Sequence, residues 1–166
     1  MFSGTFILSI FVFYALFALA GSVLLAIQFR KNRPTYISYW IIGLLATSSG
    51  VILLSLKDYL PEFISYKVGN GLTAFGAMIG NYALSNLSGN NGNLKQIVMK
   101  SAALGVLVVA TLLFLDTTIG NQYQPAFIAL LNCSLFSYGY CVTRKYSENH
   151  SSIFARFLML VELVGA

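Results

Sequence analysis

The sequence predicts an all-α integral membrane helical bundle: five complete transmembrane helices plus a truncated sixth, with the N-terminus outside. Apolar residues make up 57% of the 166-residue chain and charged residues only 9%, against roughly 25% charged in an ordinary soluble domain. The few charges gather in short clusters between long apolar runs, as in helical membrane proteins. The basic residues also alternate from loop to loop, which gives the bundle a direction. Residues 1–166 therefore read as one transmembrane domain with no soluble domain attached.

The first span covers Thr5 to Phe29. It is read as uncleaved, because Met1 to Thr5 carry no basic side chain and the apolar run continues past Ala18-Leu19-Ala20. Arg30-Lys31-Asn32-Arg33-Pro34 closes it, with Pro34 halting helix propagation. The second span, Ser38 to Leu56, opens on Tyr39-Trp40, an aromatic pair suited to the headgroup boundary. A loop of mixed charge, Lys57 to Glu62, leads to a third span over Val68 to Leu87. Ser88-Gly89-Asn90-Asn91-Gly92-Asn93 is a turn by composition. The fourth span covers Ile97 to Leu115, and the polar, slightly acidic loop Asp116 to Asn121 follows it. The fifth covers Tyr123 to Thr143 and ends at Arg144-Lys145. A sixth begins near Ser152 and is cut short at Ala166, so the expectation is a longer parent chain.

Arg30, Lys31 and Arg33 follow span one; Lys95 and Lys100 follow span three; Arg144, Lys145 and Arg156 follow span five. The intervening loops hold Lys57 and Lys67, offset by Asp58 and Glu62, and then only Asp116. The positive-inside rule places the odd-numbered loops in the cytoplasm and the N-terminus outside. Span six then leads outward, and a cytoplasmic output would need a seventh. The net charge of +5 is explained by this asymmetry, with some attraction to anionic lipid. No basic stripe with interleaved aromatics points to nucleic acid.

Gly69, Thr73, Gly76 and Gly80 fall on one face of span three, where small residues admit a close neighbouring backbone. Packing within the chain is the preferred reading of this face, ahead of a dimer contact. Asn70, Asn81 and Asn132 place amides at membrane depth, and Glu162 is the one acid well inside an apolar run. Such groups need partners in hydrocarbon. They either hold helices together or line a polar pocket for a small ligand. Cys133 and Cys141 are about two turns apart on one helix, too far to bridge, and read as small buried residues. His150 stands alone, and no nucleophile elbow, phosphate loop or Cys-x-x-Cys occurs. No enzyme activity, metal or cofactor is expected of this chain.

Leu60-Pro61, then Val68-Gly69-Asn70-Gly71-Leu72 and Gly76-Ala77-Met78-Ile79-Gly80-Asn81-Tyr82-Ala83, resembles the N-terminal membrane sensor regions (MASE-type) of bacterial GGDEF diguanylate cyclases. Arg30 to Arg33, Trp40, Leu60-Pro61 and Gly69-Asn70 occur in that family's order, and Arg156-Phe157-Leu158 looks like the start of its later span. The resemblance implies a multi-pass domain of the bacterial inner membrane that senses a signal and dimerises. It also implies relay to a cytoplasmic cyclase domain that makes cyclic di-GMP. The expected partners are the lipid bilayer, a second copy and an unknown small ligand. Internal polar residues and glycine-rich helices also suit a small membrane transporter or transporter subunit, and a scaffold is the third reading.

Overall fold

The computed structural model describes residues 4–28, 30–31, 34–87 and 93–149. Every element among them is helical: α1 (Gly4–Gln28), α2 (Thr35–Ser55), α3 (Gly69–Leu87), α4 (Leu94–Phe114) and α5 (Gln124–Asn149). Two π-helical turns interrupt the sequence, one entering α3 (Phe63–Val68) and one leaving α4 (Leu115–Ile119), and a short 3₁₀ turn (Asn121–Tyr123) precedes α5. Three stretches are long and apolar enough to cross a membrane, namely Thr35–Ser55, Leu94–Ile119 and Gln124–Val142.

Local chemistry accounts for most of the boundaries. Pro34 stands at the N-cap of α2 with φ −58°, the torsion its ring imposes and one compatible with a helix start. Asn93 caps α4, its side chain accepting from the Lys95 N–H at 3.0 Å. Gly120, at φ 108°, ends the second π turn and donates to the Leu115 carbonyl at 2.7 Å. That torsion is one L side chains rarely adopt. α5 runs past Arg144-Lys145 to Asn149, because no Pro or Gly follows the basic pair to stop it.

α3 is the central element, and α2, α4 and α5 all pack on it, while α1 packs on α2. Gly43 lies against Gly76 and Gly80, and Gly50 lies against Gly69 and Thr73. α2 and α3 are therefore antiparallel. Gly71 meets Gly105 and Lys67 meets Asp116, so α3 and α4 are antiparallel too. Gln124, at the start of α5, donates to the Leu112 carbonyl near the end of α4, which sets α5 parallel to α3.

One buried cluster joins Tyr39, Ile79, Ala83 and Ile97, with Trp40 and Phe75 against it. A second joins Ala74, Val108, Leu112 and Leu135, with Tyr66, Phe127 and Leu131 against it. Outside these clusters the surface is strongly apolar. Phe13, Phe17, Val106, Leu107 and Leu130 are all well exposed, as side chains facing hydrocarbon are in a membrane bundle. Cys133 and Cys141 are exposed as well, which corrects their reading as buried residues: α5 turns that side away from α3.

The up-and-down order sorts the charges. Arg30, Lys31, Lys95 and Arg144 stand at one end of the bundle, with Lys100 a turn further in, and Lys57, Asp58, Glu62, Lys67 and Asp116 at the other.

Candidate functional site

The small-residue face of α3 packs within the chain. A methyl group on Gly76 would fall 2.6 Å from the Gly43 carbonyl oxygen and 2.6 Å from the Thr47 nitrogen, and would also collide with the Thr47 hydroxyl. One on Gly50 would fall 2.6 Å from the Gly69 carbonyl oxygen and 2.8 Å from the Thr73 nitrogen. The backbones of α2 and α3 therefore touch over two turns, as lipid-embedded helices do when small residues line both sides. Thr73 satisfies its own hydroxyl by donating to the Gly69 carbonyl at 2.9 Å. Gly80 is the looser end of the face, where an added methyl meets nothing within 4 Å. On the α4 side, Gly71 and Gly105 approach in the same manner.

The two asparagines of α3 are both buried but do not converge. Asn70 Nδ2 donates to the Tyr66 carbonyl of its own helical run at 2.7 Å. Asn81 Nδ2 donates across the bundle to the Leu135 carbonyl of α5 at 2.9 Å. Eleven positions of helix separate them, about 16 Å. Asn132 is exposed on α5, and Glu162 lies outside the described residues. Of the four polar residues that the sequence offered as helix ties or as the lining of a pocket, the three that are described, Asn70, Asn81 and Asn132, do not come together. Asn81 ties α5 to α3, and Asn70 adds a second donor to a carbonyl that the Gly69 N–H already reaches.

The strongest polar feature lies two residues ahead of α3. Lys67 is only 4% exposed, and its Nζ is 2.8 Å from Asp116 Oδ2 and 3.4 Å from Glu62 Oε1. Its position follows from the two π turns. The first carries Lys67 to the inner side of the chain, and the second begins at Leu115 and presents Asp116 to it. π turns are uncommon, and the extra residue they admit re-aims the side chains around them. The Asp116 hydrogen bond holds the Lys67 pKa above its ordinary 10.5, outweighing burial, which acts downward, with Glu62 adding to the rise. The lysine is a charged tie between the entry of α3 and the exit of α4. Sequence reading only weighed Lys57 and Lys67 against Asp58 and Glu62 as loop charge and did not find the contact with Asp116. The signal available was a lone acid in one loop and a charged cluster in another that an up-and-down bundle brings to the same end.

Chemically, this arrangement ties the entry of α3 to the exit of α4. Among the described residues no group of three His, Cys, Asp or Glu side chains could hold a metal ion. Ser48 and Ser101 are fully buried and their hydroxyls have no partner there; their smallness, rather than hydrogen bonding, serves the packing. No protein-family model, curated protein or solved structure matches this chain.

Proposed function

We propose that this chain is a multi-pass sensory input domain of the bacterial inner membrane, in which α1 to α5 each span the bilayer with the N-terminus outside. The sorting of Arg30, Lys31, Lys95, Lys100 and Arg144 toward one end supports that orientation through the positive-inside rule. α3 is less apolar than α2 and α4, as suits a helix that α2, α4 and α5 shield from lipid.

The observation that carries the sensory reading is the contrast between two kinds of packing. α2, α3 and α4 interlock through glycines whose backbones touch. α5 is held mainly by α3, and only 11% of its spanning window is buried. A helix gripped on one side moves against an interlocked core at low cost, which is the mechanical requirement of a relay. In this reading a signal at the outer end or within the bundle shifts α5, whose C-terminal end faces the cytoplasm. The class of output, a GGDEF diguanylate cyclase acting as a homodimer, rests on the resemblance of the Leu60-Pro61 and Gly69–Ala83 motifs.

The test is to express the natural full-length gene in a host carrying a cyclic di-GMP reporter, beside Asn81→Leu, which cuts the α3–α5 tie. The expected result is a reporter signal that the variant changes at equal membrane abundance. A signal identical to that of the empty host sinks the sensory reading, and solute uptake into proteoliposomes would favour the transporter.

A further inference from the structure

The turn that carries α4 toward α5 is shallow, yet one of its side chains reaches deep into the bundle. No residue of this π turn, Leu115–Ile119, is buried, and it packs mainly on α4 and on the short 3₁₀ turn that follows. Asp116 is its anchor, reaching across to the buried Lys67 in the other π turn, Phe63–Val68. Each partner of the ion pair stands in a π turn.

A π turn holds one residue more than the α-helical turn it replaces, and it persists where other contacts favour it. Relaxing Leu115–Ile119 to α-helix rotates the chain after it by about 100°. The fold has a joint to take up that rotation. Gly120 follows at φ 108°, with nothing within 4 Å of where a Cβ would stand, so its backbone is free to turn. α5 begins soon after at Gln124, which donates to the Leu112 carbonyl at 3.5 Å. Anchor, turn, joint and α5 follow one another directly along the chain.

The charges that act on Lys67 are those of Asp116 and Glu62. α2, α3 and α4 pack against the first π turn, and none brings a titratable side chain of its own to that end. Lys57, Asp58 and Tyr59 in the preceding loop, and Tyr123 ahead of α5, are exposed. Burial and Glu62 push the Tyr66 phenol upward against the opposing pull of Lys67, so it stays neutral in acid. The Lys67 ammonium keeps its proton there too. Acid therefore changes the carboxylates alone. Once Asp116 and Glu62 are both protonated, a buried ammonium is left without a counter-charge, which is strongly unfavourable.

We propose that Lys67, Asp116 and Glu62 form an acid-released latch on the entrance to α5. Protonation of both carboxylates lets Lys67 leave for solvent. Leu115–Ile119 then loses its anchor and relaxes toward α-helix, and the start of α5 shifts about Gly120. The latch follows from the fold. Its place on the outer face, and its use as the input that moves α5, rest on the reading proposed above.

Hydrogen–deuterium exchange of the purified full chain in nanodiscs tests the latch, followed from neutral pH to about pH 3 to cover the ordinary carboxylate range. Rates are corrected for the intrinsic exchange of each amide. In the wild type, amides of residues 115–124 should exchange slowly at neutral pH and about ten-fold faster in acid, reversibly. Asp116→Asn should exchange fast there at every pH. Asp58→Asn, which removes an exposed acid at the same end, should behave as wild type. Amides of α3 should stay protected throughout, which separates unlatching from unfolding. Wild-type exchange at 115–124 that ignores acid, an acid response that survives in Asp116→Asn, or an equal rise in α3 overturns the latch. The wild-type arm decides the matter even where a variant fails to fold. A silent cyclic di-GMP reporter beside acid-dependent exchange overturns the sensory reading and leaves the latch standing, so the two failures are distinguishable.

Discussion

Lys67 Nζ lies 2.8 Å from Asp116 Oδ2, joining residues 49 positions apart at one end of the bundle. The lysine is almost wholly buried and the aspartate about one-third exposed, so the pair sits at the edge of the protein's low-dielectric interior. Breaking such a pair costs more than forming it gains, because the survivor keeps its desolvation penalty without its partner.

Asp116→Asn should therefore destabilise the bundle by about 2 kcal/mol, below the full cost of a deeply buried pair because Asp116 reaches solvent and Glu62 remains near. Thermal unfolding in detergent measures the loss. The double variant Lys67→Met/Asp116→Leu should recover most of it, since no buried charge is then left alone. Equal instability of the single and double variants would contradict the role assigned to the pair.

The same pair sets a pH dependence whose sign is fixed. Lys67 lies ahead of α3, and its folded pKa is raised, chiefly by the Asp116 hydrogen bond. A raised lysine contributes its stability in full below the unfolded value of 10.5 and loses it as pH climbs through the folded value. The unfolding temperatures of the wild type and Lys67→Met should differ by a constant amount between neutral pH and about 9, then converge above 10.5. Convergence already at neutral pH would rule the tie out.

Gly76 and Gly80 share a face but should respond oppositely to one methyl group. Gly76→Ala forces the α2 and α3 backbones apart and should cost about 1–3 kcal/mol. Gly80→Ala meets nothing within 4 Å and should be neutral or stabilising by up to about 1 kcal/mol, through helix propensity. Parallel melting curves of the two variants decide the point.

Asn81 and Asn70 differ in reach rather than in burial. Asn81→Leu removes a side-chain hydrogen bond from α3 to the α5 backbone and should cost about 0.6–2 kcal/mol. It should also raise the proteolytic sensitivity of α5. Asn70→Leu removes a bond within its own helical run and should leave the sensitivity of α5 unchanged. Limited proteolysis in nanodiscs reads both.

Much of this bundle was legible from local chemistry. Pro34 marked the start of α2, Asn93 marked the start of α4, and Gly69, Thr73, Gly76 and Gly80 announced a close helix contact. These features act within a few residues or along one helical face, so their pattern is visible in one dimension. The end of α5 was less legible, since Arg144-Lys145 changes polarity without stopping a helix.

The polar residues lay beyond such reading. Asn70 and Asn81 look equivalent along the chain, yet one turns inward to its own backbone and the other crosses to Leu135. Only the placement of α5 beside α3 distinguishes them. The sequence by itself determined the all-helical class, the presence of helices long and apolar enough to cross a membrane, and the alternation of charge, because hydropathy, proline geometry and loop composition are local properties. Tertiary structure alone decided that α3 is central and that its glycine face meets α2. It also decided that Lys67 belongs to Asp116. A contact energy falls off within a few ångströms, whatever the separation along the chain.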